Sequence, residues 1–195
     1  MSKWNDGRLY PVDFSEELCR ALYLQERKSI WMLNEAVHTY ALDGTPIFGK
    51  RGGPKAVGVT LTEMALARQA VWTHNHPRVS ALSIDDVQRA FESQVAELRA
   101  IDPIWIYRLR DSDGWPAEKW IPMLRAIGLE LARAREEGVD DVQERNHRAM
   151  VAGANSLGLT YSRTRWSPPL SFALRLRGWF IAKRDSRRHS NRQGH

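Results

Sequence analysis

Two histidines one residue apart, His74 and His76, stand with Pro77 at the end of a short apolar run, Ala70-Val71-Trp72. That run reads as a buried strand. Side chains along a strand repeat every two residues, so both imidazoles fall on one face. Beyond them Ser83-Ile84-Asp85-Asp86 reads as the opening of a helix, which offers a carboxylate, Asp85 or Asp86, from the next element. Two imidazoles and one carboxylate make three of the four ligands of a tetrahedral Zn²⁺ site, and the open fourth position is what catalysis requires. The same residues have a plainer reading. A surface strand can carry two histidines with no ligand role, and Ser83 with Asp86 fits an N-cap and its acid three residues on. A helix cap and a metal ligand are compatible roles for one carboxylate.

The surrounding pattern predicts the elements that must position these groups. Ser15-Glu16-Glu17 opens a helix to about residue 29, with an N-cap and an acidic first turn. Residues 35–42 alternate as a strand, Asp43-Gly44 signals a hairpin turn, and residues 46–49 form the returning strand. A further short strand is expected over residues 56–59, then a helix over 60–69 capped by Thr60 or Thr62. The histidine strand follows, then a helix over 83–93 and strands over 95–100 and 104–109. Residues 116–137 read as a long helix stopped by Gly138, and 139–156 as a second ending near Gly158. This order predicts an α+β fold: a single mixed β-sheet flanked by helices, with a C-terminal helical extension.

Composition sets limits on function. A chain of 195 residues with 43% hydrophobic residues can bury one core with decorations. No apolar run approaches the length of a membrane span, and the first residues lack a signal-peptide core, so a cytoplasmic protein is expected. The one cysteine, Cys19, lies among Leu18, Ala21 and Leu22 at helical spacing and reads as a small core residue. A metal site here must therefore use histidine and carboxylate. From Trp166 onward seven basic residues face one acid, Asp185, which equals the net charge of +6 for the whole chain. The basic character thus belongs to the tail, read either as a solvated terminus or as a segment for a partner or an anionic surface. No specific nucleic-acid partner is expected.

Glu35, His74-Asn75-His76-Pro77 and Ser83-Ile84-Asp85-Asp86, taken together, resemble the signature of the JAB/MPN (JAMM) metalloprotease superfamily. That signature has a Glu on an early strand, then His-x-His-Pro, then Ser-x-x-Asp. The Thr-His-Asn-His-Pro form is similar to the bacterial and phage branch, with its RadC-like proteins and domains associated with MuF-type phage head proteins. The resemblance covers about residues 30–110, leaving 1–29 as a helical lead-in, 115–165 as a helical extension and 166–195 as a basic tail. It implies cytidine-deaminase-like layering and one Zn²⁺ per chain on His74, His76 and Asp86, preferred over Asp85. It also implies that Glu35 is the general base, with Glu63 as its rival, and that Ser83 donates to the developing oxyanion. His38 and His147 are not expected to be ligands. The implied reaction is hydrolysis of a peptide or isopeptide bond in a protein or peptide substrate, including ubiquitin-like ones, by a bacterial or phage-encoded enzyme. Two alternatives follow from the same resemblance: a non-catalytic scaffold or phage head-assembly component, and a RadC-like DNA-associated protein.

Overall fold

The structure is a computed structural model that describes residues 9–11, 13–111 and 114–166. The basic tail, apart from Trp166, lies outside the described residues. Helix α1 (Glu16–Ser29) starts at Ser15, whose Oγ accepts from the Leu18 amide, with Glu16 and Glu17 in the first turn and Arg27 and Lys28 in the last. These charges match the helix dipole at both ends. Strands β1 (Ala36–Tyr40) and β2 (Pro46–Arg51) form the expected hairpin. At its tip Gly44 has φ of +90°, and an added Cβ would lie 2.8 Å from the Glu17 and Leu18 backbone. Only glycine satisfies both the turn and the close approach to α1.

After the hairpin come α2 (Leu61–Leu66), β3 (Val71–Asn75), α3 (Ile84–Ser93), β4 (Glu97–Ile101) and β5 (Trp105–Arg110). Then follow α4 (Trp120–Glu136), α5 (Val142–Ser156) and β6 (Thr160–Arg165). The six strands form one mixed sheet in the order β2-β1-β3-β4-β5-β6, with only the β3–β4 pair parallel. The expected α+β fold with one mixed sheet, flanking helices and a C-terminal helical part is therefore present. No helix among the described residues is long and apolar enough to cross a membrane.

Two expectations fail locally. Residues 56–59 form no strand: the Ala56 carbonyl accepts from the Gly53 amide at 2.8 Å in a loop, and Val57 and Val59 pack against the main core. Conversely, residues 160–165, inside the stretch expected to be a helical extension, form the edge strand β6 against β5. Its sequence, Thr160-Tyr161-Ser162-Arg163-Thr164-Arg165, has no apolar alternation to announce it. Arg163 and Arg165 instead lie over the Trp105 ring, 4.8 and 5.4 Å from its centroid.

The alternation along β3 assigns the two faces of the sheet. Val71 packs with Leu18, Cys19 and Leu22 of α1 on one side. Trp72 packs with Leu98, Val87 and Phe91 on the other, where α2 to α5 also contribute to the main core. Cys19 is fully buried, as expected of a core residue. Val87, Ala90 and Phe91 bury the inner face of α3. Burying a valine or phenylalanine contributes about 1.5–3 kcal/mol each. This packing holds α3 against the sheet.

Candidate metal centre

The front face of β3 carries His74 near its end, and His76 follows one residue past the strand. Both side chains are buried, with 5% and 9% of their surface exposed. Their Nε2 atoms stand 2.9 Å apart. Asp86 reaches them from α3, placing Oδ1 3.2 Å from His74 Nε2 and Oδ2 3.4 Å from His76 Nε2. The local sequence explains this reach. Ser83 is the N-cap of α3, and its Oγ accepts from the Asp86 amide at 3.1 Å. Asp86 Oδ2 in turn accepts from the Ser83 amide at 2.7 Å and the Ser83 hydroxyl at 2.8 Å. This reciprocal cap fixes the carboxylate and leaves Oδ1 turned toward the histidines.

Donor chemistry decides whether these residues fit a cation. His76 Nδ1 lies 2.9 Å from the Ser80 carbonyl, which can only accept, so this bond places the proton on Nδ1 and a lone pair on Nε2. The Ser80 hydroxyl lies 2.8 Å from the same Nδ1. Two imidazole nitrogens bound to one Zn²⁺ at about 2.0–2.1 Å can be no more than about 4.2 Å apart, and these are closer than that. His74, His76 and Asp86 could hold a metal ion.

The field at the site also favours positive charge. Burial pulls the His76 imidazole down, but the Asp86 hydrogen bond and charge, the Ser80 carbonyl and the Glu35 charge outweigh it and carry it up to about 9. Burial likewise pushes the Asp86 carboxyl up, yet the charges and hydrogen bonds of His74 and His76 hold it well below its ordinary range. Proton and metal compete for the same lone pair, so metal binding here is coupled to proton release.

No family model, curated protein or solved structure matches this chain. The site is therefore read on its own geometry.

Glu35, immediately before β1, is half-buried and lines the same cavity of about 330 Å³ as His74, His76, Ser83 and Asp86. Burial raises its carboxyl above the ordinary value, while the His76 and His74 charges oppose the shift. Glu63, its sequence rival, lies elsewhere: it closes the capping box of α2 with Thr60 and pairs with Lys50 at 3.0 Å. Asp85 is exposed and lines the cavity but stays outside the histidine cluster. His38 sits on β1 with Nε2 2.8 Å from Gln25 Nε2, and His147 Nδ1 lies 3.0 Å from the Tyr161 hydroxyl, both outside the cluster. Trp72 and Leu98, paired across β3 and β4, line the cavity together with Val57 and Val59.

Sequence reasoning overlooked two residues of this site. Ser80 sets the His76 tautomer from a loop, and no spacing rule announces a loop carbonyl. Asn75, between the two histidines, is fully buried. Its Oδ1 accepts from the Ala36 amide at 2.8 Å, and its Nδ2 donates to the Asn34 carbonyl at 3.1 Å. An amide side chain at the middle position of a His-x-His pair was the available signal.

Proposed function

We propose that this chain is a zinc-dependent metallopeptidase or isopeptidase of the JAMM type, hydrolysing an amide bond in a protein or peptide substrate. The observation that carries this reading is the convergence of His74, His76 and Asp86 with a half-buried acid, Glu35, on the wall of the same cavity. A donor set of two imidazoles and one carboxylate, without thiolate, suits Zn²⁺ with a position left for water or substrate. The element order supports the family resemblance: a helix, a hairpin, and a parallel β3–β4 pair joined through α3.

When bound, Zn²⁺ supplies a Lewis acid that acidifies a water and polarises the scissile carbonyl. The protein's own groups do the rest. Glu35 accepts the proton of the attacking water and delivers it to the leaving amine, a role worth about 10²–10⁴-fold in rate. Ser83 is placed to donate to the developing oxyanion once its hydroxyl turns from Asp86 Oδ2, where it now bonds. Trp72, Leu98, Val57 and Val59 offer an apolar surface for a substrate side chain beside the reacting bond.

The test is turnover of a panel of fluorogenic peptides and isopeptides by the zinc-loaded protein and its Glu35→Gln variant. We expect hydrolysis by the wild type and a loss of about 10²-fold or more in kcat in the variant, with zinc retained. Full activity in zinc-loaded Glu35→Gln would remove Glu35 from the reaction and sink this mechanism.

A further inference from the structure

The antiparallel pairing of β1 with β3 ends at Val37 opposite His74. Past that point the β1–β3 ladder stops while β3 stays tied to β4, where the His76 amide donates to the Ile101 carbonyl at 2.7 Å. The segment Asn34-Glu35-Ala36 would then be held from one side only, where the Glu35 amide donates to the Gly53 carbonyl at 2.9 Å and the Gly52 amide donates to the Glu35 carbonyl at 2.8 Å. The Asn75 side chain supplies the other side.

We propose that Asn75 is a positioning residue that holds Glu35 in register with the two histidines, an inference that rests on the hydrolase reading above. The Asn75 amide acts as an extra peptide unit. Its oxygen takes the Ala36 N–H and its nitrogen gives to the Asn34 carbonyl, so the two bonds bracket Glu35 along the chain. Full burial keeps water from competing for the bond to the Ala36 amide. Only a short side-chain amide offers a donor and an acceptor at this reach. Aspartate keeps the acceptor, loses the donor and adds a carboxylate behind Glu35, whereas alanine removes both bonds. The geometry gives one strand two tasks, carrying the ligands on its front face and tethering the base through the residue between them. Misplacing a reacting group by about 1 Å can lower a rate about 10²-fold, so the tether bears on turnover rather than on metal retention.

The experiment is a double-mutant cycle on the zinc-loaded full chain, with Asn75→Ala and Glu35→Gln singly and together, and Asn75→Asp as a size-conserving second variant. Amide hydrogen exchange at Ala36 supplies a readout independent of activity. We expect Asn75→Ala to keep zinc and KM, to lower kcat about 10–100-fold, and to expose the Ala36 amide to exchange. In the Glu35→Gln background the same change should lower kcat less than about 3-fold, because the base it positions is already gone. Equal losses in both backgrounds, or an Ala36 amide still protected in both Asn75 variants, would overturn the proposal. Full activity in Glu35→Gln alone strikes the hydrolase reading itself, and Asn75 then has no base to position. Should Asn75→Ala fail to fold, Asn75→Asp carries the same cycle, and an additive loss there overturns the proposal equally.

Discussion

The two faces of β3 and β4 each bury a polar cluster, and the clusters are built on opposite principles. On the back face Arg99 bonds Glu26 in a fork, Nε to Oε1 at 2.6 Å and Nη2 to Oε2 at 3.1 Å, and reaches Glu97 Oε1 with Nη1 at 2.7 Å. Thr73 donates to Glu26 Oε1 at 3.0 Å, and the Tyr10 ring lies 5.0 Å from the guanidinium carbon. Every acid there meets a cation. One residue further along β3, on the front face, His74 and His76 turn their Nε2 atoms toward each other and toward a carboxylate. Burial of charged groups is common to both clusters and marks neither as functional. What separates them is the source of positive charge: the back cluster carries its own guanidinium, whereas the front one takes up a proton or could hold a metal ion.

The comparison breaks most visibly in stability. Removing one partner of a buried ion pair leaves a charge uncompensated and costs about 3–5 kcal/mol. Arg99→Ala is therefore expected to lower the denaturation midpoint severely, and by more than His76→Ala in metal-free protein, where the Ser83 amide and hydroxyl still hold the Asp86 carboxylate. Denaturant unfolding of both variants in chelator checks this, and equal losses would erase the distinction between the faces.

Asp102, after β4, is an intermediate case. It is fully buried and accepts from the Ile104 and Trp105 amides at 2.6 and 2.7 Å and from the Tyr107 hydroxyl at 3.1 Å, all neutral donors. Burial raises its carboxyl from an ordinary 3.8 to about 6, against the opposing pull of those bonds. Between these values the folded chain binds more protons than the unfolded one, so the Asp102 contribution to stability falls as pH rises from about 4 to 6. The change should be on the order of 3 kcal/mol and should vanish in Asp102→Asn. A pH series of unfolding curves on the two proteins measures it, and an unchanged slope in the variant would reassign it to another group.

The smallest expected effect sharpens the back cluster alone. Thr73→Val deletes one hydroxyl bond to a charged, buried acceptor that Arg99 still holds. A loss of about 1–2 kcal/mol is expected, read as a modest shift in the unfolding midpoint. A loss as large as that of Arg99→Ala would mean that Thr73, not the guanidinium, organises Glu26.

The sequence made the front cluster far easier to read than the back one, for a physical reason. His74, His76, Ser83 and Asp86 obey local rules: the two-residue period of a strand and the three-residue reach of a helix cap. Glu35 needed the family resemblance, because only the pairing of β1 with β3 brings it to the histidines. Asn75 offered only its residue type as a signal, since its partners lie 39 and 41 residues away and depend on the register of two strands. Arg99 and Glu26 are 73 residues apart, and charged residues ordinarily read as solvated until the sheet buries them. The same limit hid β6, where polar residues form an edge strand without an apolar period.

The most direct test of the front cluster is its metal content. Mass spectrometry on wild type purified without chelator should find about one zinc per chain, lost in His76→Ala and kept in Glu35→Gln. Wild type free of zinc, or His76→Ala holding as much as wild type, would show that these converging side chains serve something other than a metal.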